Sequence, residues 1–506
     1  MTNEKEKDNQ IIVDSSNRRF RILSPERLSD PPDNLQISRE TSPWKIYLSM
    51  LITVLPAFLL MNTIFFIVWG IYQLTPNSIL AGSLCSIPLM LTIFTIHRPK
   101  LIHLQLATLD KNGANIHALP KGGSLYTTKK TTYRRFIIRD DEILKMPPSG
   151  QLWSLFTLTI LGAMLLTIFF SNSAILFIAA IFLWLIGFSL PVLAWWATSS
   201  DYISLPTKRR EAESWLIAGM ASAFPAVIIN SLIAPEIIPS SFPEWAQDLS
   251  LMAIVAPLGE EFSKIIAVAI FLPTIKGPRK GFQIGFTVGL GFALIENIQY
   301  IAFSFSDGFV SATATILIRG IGSIPGHAVW TAISGTAIGW LATNKKFQSK
   351  ITRNFNPISM KAKEFASNLG FDVTQSNDIS QKTEAEDMKS NQTWWFDPKL
   401  KESDNFEDSD LNTHLRNIFF EDEKINPNQN KPVLFSPKGI LPALGLSIGG
   451  HSLWNGSLVL TETFLNSLEI DLIWVNTLSL LWLIILISSV LVIARRLLRG
   501  IKSLDF

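Results

Sequence analysis

Nine side chains able to bind, carry charge or move a proton stand on four apolar stretches of this chain. The sequence GEEFSK holds Glu260, Glu261 and Lys264, and FALIEN holds Phe292, Glu296 and Asn297. RGIGSIPGHAVW holds Arg319 and His327, and GGHSLWN holds His451 and Asn455. On a helix, residues three or four apart share a face, so Lys264 can pair with Glu260 or Glu261, and His451 sits beside Asn455. A carboxylate next to an imidazole can orient a water molecule and take its proton. An imidazole and an amide N–H on one face can stabilise an oxyanion. Alternatively, Glu296, His327 and His451 can hold a zinc ion with a fourth position open to water, leaving Glu260 or Glu261 as general base. Both schemes hydrolyse an amide. No HExxH, GxSxG or Walker pattern occurs, nor a GxGxxG with an acidic residue at the right distance, so nucleotide use and a serine nucleophile have no support.

What must position these groups is a membrane. Of the 506 residues, 48% are hydrophobic and 17% charged, against about 25% charged in soluble domains. The formal net charge is only +3, so no nucleic-acid partner is implied. Cys85 is the one cysteine, which excludes an internal disulfide framework and a cysteine zinc cluster. A lipid bilayer takes about 20 apolar residues per helical crossing. Ten stretches qualify, at about 46–72, 78–96, 152–170, 174–198, 214–234, 250–272, 281–305, 311–343, 438–464 and 472–494.

The loops orient them. Lys and Arg crowd the N-terminal tail, the 97–151 loop and the segments after the fourth, sixth, eighth and tenth stretches. The connections 73–77, 171–173, 235–249, 306–310 and 465–471 contain neither. This alternation predicts an all-α, polytopic transmembrane bundle of about ten spans with both termini cytoplasmic. The organisation expected is a cytoplasmic tail (1–45), then four N-terminal transmembrane helices (46–198) with a cytosolic insertion (97–151). A transmembrane core follows in two parts (214–343 and 438–494), split by a flexible cytoplasmic insertion (344–437) and closed by a basic tail (495–506). Within 97–151, the run 133–146 reads as β-like. Within 344–437, Trp394, Trp395 and Phe396 stand out in a polar, late-acidic background.

Charges at mid-bilayer are expensive and default to functional sites facing one another or a wet cavity. At about 1.5 Å per residue, Glu260 falls ~15 Å, Glu296 ~14 Å, His451 ~20 Å and His327 ~24 Å below the outer edge. Four helices thus place acid, base and amide at similar depth. Gly285, Gly289, Gly335 and Gly339 form small-xxx-small faces suited to close helix packing.

The order EExxK, FxxxEN, Arg with His, then HxxxN resembles the PrsW intramembrane proteases, within the superfamily of CAAX prenyl endopeptidases and bacteriocin-processing enzymes. The resemblance covers about 214–343 plus 438–494. It implies hydrolysis of a peptide bond in a membrane-anchored protein substrate, such as an anti-sigma factor, at a multi-pass protein of a prokaryotic cytoplasmic membrane. Carried over, it gives Glu260 water activation helped by Glu261, and gives His451 and Asn455 the oxyanion. Lys264, Asn297 and Arg319 are supporting residues. Other superfamily members have His where this chain has Glu296, which leaves His327 as second base or favours a metal. The cofactor is therefore none or zinc. Two other classes fit the same residues: a transporter or proton pathway, and a catalytically silent scaffold.

Overall fold

The computed structural model describes residues 42–96, 101–119, 123–139, 144, 146–169, 174–205, 207–344, 437–468 and 470–504, preceded by three short strands. The expected insertion 344–437, with Trp394, Trp395 and Phe396, lies outside the described residues apart from its two end positions, and so does most of the 1–45 tail. The chain divides into two compact units: 1–39 with 99–140 and 375–422, and 40–98 with 141–374 and 423–506.

In the first unit the described residues are strands. β1 (Ile11–Val13) and β2 (Arg19–Arg21) form an antiparallel pair. β3 (Glu26–Leu28) runs parallel to β5 (Gly123–Arg139), which pairs antiparallel with β4 (Leu101–Leu119) from Leu101 opposite Arg139 to Leu119 opposite Gly123. The β-like run therefore ends as strand at Arg139. Threonine and β-branched residues through TTKKTTYRRFII favour this pleated backbone. The expectation of an all-α protein applies to the second unit alone.

That unit is helical. It contains α1 (Pro43–Tyr72), α2 (Pro76–Ile96), α3 (Ser149–Phe169), α4 (Ala174–Ile203), α5 (Arg209–Ile228), α6 (Ala234–Ile237) and α7 (Glu244–Ser250). It continues with α8 (Ala256–Ile270), α9 (Pro278–Ser306), α10 (Phe309–Ile318), α11 (Ile324–Ala342), α12 (Ile440–Ser467) and α13 (Leu472–Lys502). Among the described residues, seven helical segments are long and apolar enough to cross a bilayer: Pro43–Tyr72, Pro76–Ile93, Ser149–Phe169, Arg209–Ile237, Pro278–Ser306, Phe309–Ala342 and Leu472–Lys502. This is an all-α membrane architecture. The other three expected stretches are helical as well, within α4, α7–α8 and α12. The helices α8 and α12 carry the Glu, Lys, His and Asn residues singled out above, which lower their apolar character.

Helix α9 lies at the centre, packed against α4, α5, α8, α10 and α11, and is buried along most of its length. Glycine lets its neighbours come close. A Cβ at Gly285 would lie 2.6 Å from the Thr331 carbonyl of α11, and Gly289 abuts the His327 carbonyl and lies against Ala328. Gly219 of α5 and Gly291 of α9 play the same part on the other side, against Val288 and Leu216. Without a hydrophobic drive between helices in lipid, such backbone approach is what packing energy rests on.

Among the described residues, three π turns interrupt the helices: Ile229–Ile233 between α5 and α6, Leu251–Val255 between α7 and α8, and Arg319–Ser323 between α10 and α11. Each is followed two residues on by proline, at Pro235, Pro257 and Pro325. Proline has no N–H, and its ring clashes with the carbonyl four residues back. The wider turn opens that space. The residue before each proline instead bonds five residues back: Ala234 to Ile229, Ala256 to Leu251, and Ile324 to Arg319. The over-long eighth stretch is explained thereby: Phe309–Ala342 is one helical rod with a π turn in it.

Candidate functional site

Helix α8 is strongly two-faced, with Glu260, Glu261, Ser263 and Lys264 buried and Leu258, Phe262 and Ile266 exposed. Its buried face meets α9, α11 and α12. Lys264 is fully buried. Its ammonium donates to Oε1 of Glu261 at 2.7 Å and to Nδ1 of His327 at 2.8 Å, and lies 3.6 Å from Oε2 of Glu260. Beneath it, the Phe292 ring centroid is 3.9 Å from Nζ, a cation–π contact.

Two imidazoles flank this centre, with ring centroids 5.0 Å apart and planes nearly perpendicular at 87°. Nδ1 of His451 lies 3.0 Å from Oε1 of Glu261, and its Nε2 lies 3.8 Å from Oε2 of Glu260. An ionised Glu261 only accepts, so Nδ1 of His451 carries a proton, and in the neutral ring Nε2 presents its lone pair toward Glu260. His327 is the reverse. The ammonium occupies the lone pair of Nδ1, so its proton is on Nε2, 2.6 Å from Oε2 of Glu296.

Outside these lies a second layer. Arg319, on the third π turn, forms an ion pair with Oε1 of Glu296 at 2.8 Å. It also donates to Oδ1 of Asn297 at 2.6 Å and sits over the Tyr300 ring at 3.8 Å. Three carboxylates thus meet two cations. Oε2 of Glu260 is buried and makes no hydrogen bond among the described residues.

Eight of the nine singled-out residues belong to one network. Asn455 does not join it: it stands half-buried one turn beyond His451 on α12. Spacing alone missed Asn230, which donates from Nδ2 to Oε1 of Glu260 at 3.3 Å. The available signal was a single amide in the apolar run VIINSLIAP, just ahead of the Ala-Pro that makes the π turn.

The group whose ligand atoms converge is Glu260, His327 and His451, all buried, within 4.8 Å of one another. In the sequence-level zinc trio, Glu296 took the place that Glu260 holds here. Two His and one carboxylate match a catalytic zinc donor set. Ligand-ready atoms are present on two of the three, Oε2 of Glu260 and Nε2 of His451, and Glu261 supplies the carboxylate that usually holds the other nitrogen of a ligating histidine. The residues therefore fit a metal, with His327 as the ligand already engaged.

Residues 212–357 match the family model of the PrsW family intramembrane metalloprotease. The match opens in α5 and runs past α11, so it contains Asn230, Glu260, Glu261, Lys264, Glu296, Asn297, Arg319 and His327. It ends before α12, and the fold returns His451 to the matched residues from outside that range. No curated protein and no solved structure matches the chain.

Proposed function

We propose that this chain is an intramembrane endopeptidase that hydrolyses a peptide bond in a membrane-tethered protein substrate. The observation that carries this reading is Oε2 of Glu260, a buried acceptor without a hydrogen bond among the described residues, 3.8 Å from Nε2 of His451. A water hydrogen-bonded to Oε2 of Glu260 beside this pair would have the proton acceptor that general-base hydrolysis needs.

In this reading Glu260 takes the proton of the attacking water, with Asn230 holding its other oxygen. Glu261 stays ionised and positions His451 through Nδ1. Lys264 offsets the Glu261 charge in a fully buried setting. Asn455, and His451 in the form protonated at Nε2, stand one turn apart on α12 and supply the N–H donors for the developing oxyanion of the scissile carbonyl. His327 and Glu296 form the second pair, with Arg319 and Asn297 holding Glu296 in place. In a metal-dependent form of the reading, Glu260, His327 and His451 would hold the ion, Glu260 would act as a ligand in place of a free base, and the ion would supply Lewis-acid polarisation of that carbonyl. In this reading the helices cross a prokaryotic cytoplasmic membrane ten times with both termini in the cytoplasm, and Glu260, ~15 Å below the outer edge of a ~30 Å hydrocarbon core, falls near its midplane.

The test is cleavage by the purified full chain, in detergent and in proteoliposomes, of a panel of single-span proteins. Wild type should cut at least one substrate. Glu260→Gln and His451→Ala should not, at equal folding. No cleavage across a broad panel, or full activity in Glu260→Gln, overturns the reading. Chelation during the assay separates the metal form from a metal-free glutamate form.

A further inference from the structure

The cation at the middle of this site is already supplied by the chain. Nζ of Lys264 lies 2.7 Å from Glu261, 2.8 Å from His327 Nδ1 and 3.6 Å from Glu260. Two of these neighbours, Glu260 and His327, belong to the trio whose ligand atoms converge. With the ammonium on Nδ1 and the remaining ring proton on Nε2 beside Glu296, His327 offers no lone pair. It becomes a metal ligand only when one neighbour lets go. Releasing Nδ1 keeps Glu296 as the carboxylate behind the ligating ring, the support such ligands usually have. Releasing Nε2 would leave an imidazole with a metal on one side and an ammonium on the other. The first exchange is therefore the favoured one.

We propose that Lys264 and a divalent metal ion compete for one place in this site, so that the metal enters only as the Lys264 ammonium leaves His327. The proposal deepens the metal form of the endopeptidase reading and rests on it. Neutral competitors are poor here. The site has three carboxylates and two cations, so a further dication next to a retained ammonium would face repulsion across a few ångströms in a low-dielectric interior. The Phe292 ring gives the ammonium a fixed seat in the lysine-held state, at 3.9 Å.

The test is metal binding, read without turnover. Zinc retention by the full-length protein in detergent, after equilibrium dialysis against buffered zinc, gives the affinity. Cobalt substitution gives a visible absorption band that reports histidine and carboxylate ligation. Lys264→Met should bind zinc about tenfold tighter than wild type, or more, because the competing charge is gone. Lys264→Arg, which keeps a cation there, should not gain. Lys264→Gln repeats the neutral case if the methionine variant does not fold. His451→Ala should lose the gain when combined with Lys264→Met. Equal or weaker zinc binding by both neutral variants overturns the proposal, since it makes Lys264 a supporter of the metal site or a bystander. Absence of zinc binding by wild type and neutral variants alike overturns it too. The endopeptidase reading fails separately, if wild type cuts no substrate with or without metal or if Glu260→Gln keeps full activity.

Discussion

Nδ1 of His451 and Oε1 of Glu261 lie 3.0 Å apart, joining α12 to α8 across 190 residues of sequence. The contact fixes which nitrogen of His451 faces Glu260. It also divides labour between two adjacent carboxylates. Glu261 holds both His451 and Lys264, whereas Glu260 has a weaker hold on its surroundings, through Asn230 at 3.3 Å and Lys264 at 3.6 Å.

The two Gln variants should therefore separate stability from turnover. Glu261→Gln breaks a buried ion pair and leaves the Lys264 ammonium poorly compensated, a loss of about 3–5 kcal/mol in comparable cases. Its activity should fall about 10–100-fold, as for other residues that orient a ligand or base. Glu260→Gln should melt near wild type yet lose about 100–10,000-fold in turnover, the range for removing a general base. Thermal melts in detergent alongside cleavage rates check this. Similar melts for the two variants would contradict the division.

Asn230 should matter more than its neutral side chain implies. Asn230→Ala frees Oε1 of Glu260 and should slow cleavage about tenfold, the worth of roughly one hydrogen bond to a charged group. Asn230→Asp, nearly the same shape, places a like charge beside Glu260 and should be worse than Ala. An aspartate variant as active as wild type would show that the amide proton at 3.3 Å does no positioning.

Much of this site was legible in the sequence, for a physical reason. Charged and amide residues in apolar helices are costly, so each marks a place where partners must exist, and Glu260, Glu261, Lys264, Glu296, Arg319, His327 and His451 do meet. Rotation about the helix axis was not legible. Spacing gave depth, and depth cannot say that Glu260 rather than Glu296 turns toward both histidines. The π turns add to this, because each inserts a shift in facing that an ideal 3.6-residue count omits. Asn230 was missed since a lone amide carries no titratable signature. The glycine faces were read as packing, and they pack: Gly285 and Gly289 lie against the backbone of α11.

That packing gives a third expectation. A methyl group at Gly289 would meet the carbonyl of His327 and lie 2.7 Å from Cα of Ala328, so Gly289→Ala must push α11 outward at the histidine itself. Overpacking of this kind costs about 1–3 kcal/mol. Gly335→Ala strains the same helix pair against Gly281, two turns further along α11. Both should lower the melting temperature, and Gly289→Ala should lose more activity at matched folded fraction. Equal activity losses would mean that local displacement of His327 is not the cause.

Orientation is testable because the chain has a single thiol, Cys85, exposed on α2. In a Cys85→Ser background, a cysteine placed at Ser240 should react with a membrane-impermeant thiol reagent in intact cells. One placed at Lys130 should react only after permeabilisation. This follows from the proposed ten crossings with cytoplasmic termini. The opposite labelling at either position would change the number of crossings between them and with it the side from which a substrate reaches Glu260.

Arg319 and Glu296 supply a paired test. The guanidinium lies 2.8 Å from Oε1 of Glu296, while Oε2 of the same carboxylate lies 2.6 Å from Nε2 of His327. Arg319→Met removes one partner and leaves the carboxylate to His327 alone, a destabilisation of about 3–5 kcal/mol by analogy with other broken buried pairs. Replacing both partners removes the stranded charge, so Arg319→Met with Glu296→Gln should melt above Arg319→Met alone. The double variant should nonetheless stay slow in cleavage, because a neutral amide no longer holds the His327 ring proton as a carboxylate does. Recovery of stability without recovery of turnover would assign Arg319 to holding Glu296 and Glu296 to holding His327. If the double variant melted no higher than Arg319→Met, the guanidinium would be serving Asn297 and Tyr300 instead, its two other contacts at 2.6 Å and 3.8 Å.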